Sequence, residues 1–69
     1  RYNVSERGNN LIFFVQDKIG NKVDFLVDGS YLFTAIAGKR GEIKVNKKSD
    51  IGKKLVYALD NKRNVELRA

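Results

Sequence analysis

Cysteine, histidine, proline, methionine and tryptophan are all absent from these 69 residues. Without histidine and cysteine the chain can form no His-based triad, thiolate nucleophile, zinc site of ordinary ligand type, haem ligation or disulfide framework. Long apolar runs are missing too. The longest, Leu11 to Val15, is five residues, against roughly 20 for a membrane-spanning helix, so no membrane insertion is expected. No charged-then-apolar leader opens the chain, and a start at Arg1 rather than methionine is expected of a segment excised from a longer protein. With neither proline nor a Ser/Gly linker to divide it, the chain is expected to be a single domain over residues 1–69.

The residues that are present describe a globular chain. Hydrophobic residues make up 42% and charged residues 32%, and six glycines are spread singly, which argues against disorder and low complexity. Turn clusters recur along the sequence: Gly8-Asn9-Asn10, Asp17 to Asn21, Asp28-Gly29-Ser30, Gly38 to Gly41, Ser49 to Gly52 and Asp60 to Asn64. Such spacing is typical of a β-sandwich or barrel. Between the turns, apolar residues alternate at strand period: Val23, Phe25 and Val27 with Asp24, Leu26 and Asp28, and Ile43 and Val45 with Glu42, Lys44 and Asn46. Asp28-Gly29 signals a two-residue hairpin, and Asp60–Asn64 is read as a second hairpin.

Asp50 to Asn61 fits two patterns. Ile51, Leu55, Ala58 and Leu59 follow a helical period behind Ser49, a potential N-cap, while Leu55, Tyr57 and Leu59 follow a period of two. An internal repeat favours the strand. A shift of 32 positions aligns Leu11–Gly29 with Ile43–Asn61, matching Ile19, Gly20, Lys22 and Asp28 to Ile51, Gly52, Lys54 and Asp60. Both copies then read as strand, turn, strand, with no helix longer than one turn. Six strands follow, and Arg1–Glu6 can add a seventh at an edge.

The segment Phe14–Gly29, with Gly41–Val45 and Gly52–Ala58, resembles bacterial and phage immunoglobulin-like repeats of invasin type, whose modules run V-x-D-x-x-G-N-x-V-x-F-x-V-x-G. The resemblance covers Leu11 to the end. It implies an all-β fold, a compact immunoglobulin-like Greek-key sandwich of six or seven strands. It also implies a non-enzymatic structural, adhesion or assembly module of a larger surface or virion protein, found at the cell surface, secreted or in a virion, with no cofactor.

The repeat also assigns faces. Ile43 and Val45 must point inward, because Lys44 and Asn46 cannot be buried unpaired. Leu11, Phe13 and Val15 follow them inward, leaving Ile12 and Phe14 outside. Val23, Phe25, Val27, Leu55, Tyr57, Leu59, Val65 and Leu67 complete the expected core, and Leu26, Val56 and Ala58 decorate the outer surface of the other sheet. Ile12, Phe14, Leu26 and Val56 thus form a candidate apolar contact face for a protein partner, a neighbouring domain, a second copy or the folded-back Arg1–Arg7 arm.

Chemistry-bearing constellations are few. Asp24, Asp28 and Asp60 could supply a carboxylate pair, and Asp17, Asp28 or Asp60 a calcium site, but Asp28 and Asp60 stand at strand ends where aspartate caps turns. Gly38-Lys39-Arg40-Gly41 lacks the Gly-Lys-Ser/Thr of a phosphate-binding loop. Asn3-Val4-Ser5 is a glycosylation sequon, meaningful only in a eukaryotic secretory setting.

Charge is asymmetric. Residues 1–37 carry four basic and four acidic residues, residues 38–69 ten and four, so the whole formal charge of +6 lies in the second part. Lys39, Arg40, Lys47, Lys48, Lys53, Lys54, Lys62 and Arg63 are candidates for weak polyanion contact. The alternative function is therefore a small basic nucleic-acid-binding β-barrel of SH3 or OB type. Gly41–Val45 also bears a likeness to the G-R-x-x-I-P strand of swapped-hairpin transcription regulators, which supports that alternative.

Overall fold

A computed structural model describes residues 2–16 and 20–69. Among these described residues six strands and one helix follow in order: β1 (Asn3–Arg7), β2 (Asn10–Phe14), β3 (Lys22–Val27), β4 (Ser30–Ile36), β5 (Glu42–Asn46), α1 (Asp50–Asp60) and β6 (Val65–Arg68). They form two three-stranded sheets, β1-β2-β5 and β4-β3-β6, in which every pairing is antiparallel. The chain is β-rich, as its alternation and turn spacing imply. Asp17, Lys18 and Ile19, which carry one expected turn and one matched position of the repeat, lie outside the described residues.

Local sequence explains the hairpins. Asp28 (φ 51°) and Gly29 (φ 83°) both adopt positive φ between Val27 and its partner Ser30, which is the geometry a type I′ turn requires. Leu32 is the extra residue where the β3–β4 register shifts, with Phe33 opposite Phe25 and Tyr31 opposite Leu26, so β4 bulges near its start.

The core lies between the sheets. Leu11, Phe13, Val15, Ile43 and Val45 point into it from one side, and Val23, Phe25 and Val65 from the other. Phe13 and Phe25 meet edge to face at 5.1 Å between ring centres, and Phe25 stacks on Phe33 at 4.5 Å. Tyr2 extends the chain of rings to 5.7 Å from Phe13 and donates its hydroxyl to the Val65 carbonyl at 2.9 Å, joining the start of one sheet to β6 of the other. Partial burial raises the pKa of that hydroxyl.

The segment expected to be a strand is α1. Ser49 caps it, its hydroxyl accepting from the Gly52 N–H at 3.0 Å and donating to the Asn46 carbonyl at 2.7 Å. The helical period wins because it buries Leu55 and Ala58 against both sheets while leaving Lys53 and Lys54 in water. Gly52, a poor helix former, allows the close approach: a Cβ there would meet the Asn46 carbonyl and stand 2.9 Å from the Lys47 Cα.

Several expectations are corrected by α1. The two repeat copies do not share a structure, since the second is a strand followed by a helix of 11 residues. Tyr57, assigned to the core, is 60% exposed; Ala58, assigned to an outer face, is buried; Val56 sits half-buried on the helix rather than on a sheet. Asp60–Asn64 is the connection from α1 to β6, not a hairpin. The Arg63 N–H bonds the Ala58 carbonyl at 2.8 Å and the Lys62 N–H that of Leu59 at 3.2 Å, with Lys62 at φ 55°, a Schellman ending with lysine where glycine is usual.

Candidate functional site

The helix runs from the end of β5, tied to the β1–β2 turn by the Lys47 N–H to Asn9 carbonyl bond of 2.7 Å, to the start of β6, tied to the β3–β4 turn by the Asp28 N–H to Asn64 carbonyl bond of 2.8 Å. Along its flank toward β3 and β4 it leaves an open groove of about 370 Å³ lined by Val27, Leu32, Lys53, Lys54, Tyr57, Ala58 and Arg63. Each lining residue has a local reason for its place. Val27 ends β3 before the Asp28-Gly29 turn, and Leu32 is the bulged residue of β4. Lys53, Lys54 and Tyr57 are at α1 positions exposed because Leu55 and Ala58 face the core. Arg63 follows the Schellman turn, and its Nε reaches Asp28 Oδ2 at 2.7 Å.

Lysine and arginine side chains cover apolar surface with their stems while holding charge in water. The groove is therefore apolar within and basic at its margin. A shallower depression around the helix is lined by Lys47, Lys53, Val56, Tyr57 and Asp60, so Tyr57 stands between two recesses with Lys53 bordering both. Lys47 reaches Glu6 on β1 at 2.9 Å, while Lys53 and Lys54 make no ion pair among the described residues.

Of the polyanion candidates, the fold gathers Lys47, Lys53, Lys54 and Arg63 around α1. Lys48 and Lys62 are exposed at the two ends of the helix and line neither recess. Lys39 and Arg40 belong to the β4–β5 loop, and Arg40 borders two depressions beside Phe14, one with Ile12 and Lys44 on the outer side of the β1-β2-β5 sheet and one with Tyr2 and Val15. The basic residues are thus divided between two places rather than forming one stripe.

The apolar contact face also divides. Ile12 lies opposite Ser5 and Lys44, and Phe14 opposite Asn3 and Glu42, so both occupy the outward row. Phe14 is 41% exposed, whereas Ile12 is only 6% exposed; it borders an outer depression with Ser5, Arg7 and Lys44 and stands apart from the main core cluster. Leu26 is its counterpart on the other sheet, opposite Tyr31 and Glu66 and likewise buried outside that cluster. Val56 borders a recess with Val4, Leu11 and Leu59. These four residues do not form one surface.

Asp28, Glu42 and Asp24 each accept hydrogen bonds within the fold. Asp28 accepts from the Asn64 N–H at 3.1 Å and from Arg63, and these bonds hold its pKa below the usual aspartate value. Glu42 accepts from the Arg40 N–H at 2.8 Å; its own backbone N–H and that of Arg40 likewise lower its pKa. Asp24 accepts from Thr34, whose hydroxyl also meets that of Tyr31 at 2.8 Å. Among the described residues no three acidic side chains come together as a metal site would require.

The groove was missed in the sequence because it exists only once Tyr57 is turned outward by the helix. Its available signal was the pair Leu55 and Ala58, whose burial in a helix exposes Lys54 and Tyr57. Comparison with protein-family models, with curated proteins and with solved structures returns no match to this chain.

Proposed function

We propose that the chain is a non-enzymatic interaction module, acting as a structural, adhesion or assembly unit of a larger surface or virion protein. The observation that carries this reading is the open apolar groove beside α1, bordered by Tyr57 and basic side chains. A small domain that leaves an apolar recess and a large aromatic in water is suited to a macromolecular partner. The commitment of Asp28 and Asp24 to structural hydrogen bonds supports the non-catalytic part. The resemblance of Phe14–Gly29 to immunoglobulin-like repeats points the same way, and β2 and β3 lie in opposite sheets as such a sandwich requires. The likeness is carried by the first half, since α1 departs from it.

A second reading, the basic nucleic-acid-binding β-barrel, draws on Lys47, Lys53 and Tyr57 sharing one recess, because bases stack on aromatics beside cationic side chains. Anisotropy of labelled DNA of several sequences at two salt concentrations separates the readings. A protein-binding module shows weak, sequence-independent DNA binding at low salt that is lost by about 0.15 M, where the Debye length is about 8 Å. Sequence preference persisting at that salt replaces the first reading with the second.

A further inference from the structure

We infer that the groove beside α1 receives an acidic amphipathic segment of a partner protein. The inference rests on the interaction-module reading and names the chemistry of its occupant. The floor is formed by Val27, Leu32 and Ala58, which gain nothing from water and favour apolar anchors. Around it stand Lys53, Lys54 and Arg63. Between Lys47 and Arg63 the chain has six basic residues and two acidic ones, Asp50 and Asp60, and Lys47 and Arg63 are already matched to Glu6 and Asp28. The charge left facing the groove is that of Lys53 and Lys54. A segment with a few apolar side chains flanked by Asp or Glu satisfies both features: its anchors fill the floor, and its carboxylates meet the lysines at the rim.

The two other occupants fit less well. A second copy offers no such segment at its surface, because the most closely spaced carboxylates, Asp24 and Asp28, flank Phe25, Leu26 and Val27, which β3 already holds between β4 and β6 with Phe25 and Leu26 buried. A nucleic acid would place phosphates over an apolar floor that cannot solvate them.

Titration of the ¹⁵N-labelled chain tests this, with resonance shifts read at Val27, Leu32, Tyr57 and Ala58. The probe is a peptide of about 14 residues with Leu at i, i+4 and i+7 and Glu on its other faces. One control replaces Glu by Lys, a second replaces Leu by Ser, and a third probe is a thymidine oligonucleotide of similar length. The Glu/Leu peptide shifts these four amides saturably, and both peptide controls bind at least about tenfold more weakly. The double variant Lys53→Glu, Lys54→Glu, altered only at exposed helix positions, keeps its spectral dispersion and loses at least about tenfold in affinity.

Equal binding of the Lys/Leu peptide overturns the acidic occupant while leaving the interaction-module reading intact. Shifts of these amides by the oligonucleotide alone overturn both. Absence of shifts with every probe at about 1 mM, the range of weak binding, overturns the inference.

Discussion

Asp28 and Arg63 meet at 2.7 Å between Oδ2 and Nε, and the other Asp28 oxygen takes the Asn64 N–H, so one side chain pins the β3–β4 turn to the start of β6. The backbone repeats the tie, the Asp28 N–H donating to the Asn64 carbonyl at 2.8 Å. The clamp fixes Arg63 at the groove margin. Its pH dependence has a definite sign. The folded chain holds the Asp28 pKa below its ordinary 3.8, chiefly through the Asn64 N–H and then Arg63. The stabilisation is therefore complete above that ordinary value and is lost as pH falls through the folded one. Asp28→Asn is expected to lower the melting temperature at pH 7, with the gap to the parent chain closing as pH falls below about 4. Glu42 titrates in the same direction but is common to both proteins and cancels. Thermal unfolding across that range checks it; a gap independent of pH would assign the loss to shape rather than charge.

Gly52→Ala opposes two effects. Alanine is the better helix former by roughly 1 kcal/mol, but its Cβ would stand 2.7 Å from the Asn46 carbonyl carbon and 2.9 Å from the Lys47 Cα. Backbone cannot give way as a flexible side chain does. The clash should win, with a net loss on the order of 1–3 kcal/mol in denaturant unfolding.

Lys62 is the mirror case. It holds φ 55° at the end of α1, a conformation costing roughly 1–2 kcal/mol for a residue with a Cβ. Lys62→Gly should raise stability by about 0.5–1 kcal/mol after the extra chain entropy of glycine is deducted. Because Lys62 lines neither recess beside α1, affinity for an acidic peptide should be unchanged.

Ile12 and Phe14 share an outward row but should respond differently. At 6% exposure, Ile12→Thr forfeits most of a buried side chain, a loss of about 1.5–3 kcal/mol. Phe14→Thr, at 41% exposure, should cost about 1 kcal/mol or less, since much of the ring gains nothing from folding. Unfolding of the two single variants separates them, and equal losses would mean that Phe14 is held by contacts its exposure conceals.

Strands β2, β3 and β5 were legible in the sequence because each turns one face to the core between the sheets, so a period of two is imposed on Leu11 and Phe13, on Val23 and Phe25, and on Ile43 and Val45. The Asp28-Gly29 turn was legible for its positive φ. The helix was legible and yet outweighed: Ser49, Ile51, Leu55 and Ala58 spelled it out, but Leu55, Tyr57 and Leu59 satisfied a strand equally well, and the apparent repeat tipped the choice. Similar residues at matched positions do not imply similar structure when the shared features are turn residues and alternation, which many strands have in common. The shelter of Ile12 and Leu26 could not be read, because it depends on side chains that pairing brings from adjacent strands. The groove is a product of docking, and no local pattern announces it.

The most direct test of the groove as the binding surface is tyrosine nitration read by mass spectrometry, with and without the Glu/Leu peptide. The chain supplies its own controls: Tyr57 borders the groove, Tyr31 is comparably exposed on the outer side of the β4-β3-β6 sheet, and Tyr2 is half-buried with its hydroxyl bonded to Val65. Without peptide, Tyr31 and Tyr57 should react and Tyr2 should lag. With saturating peptide, Tyr57 should be protected while Tyr31 reacts as before. Protection of Tyr31 with Tyr57 unchanged would contradict the assignment and move the binding surface to the outer face of the β4-β3-β6 sheet, away from the groove.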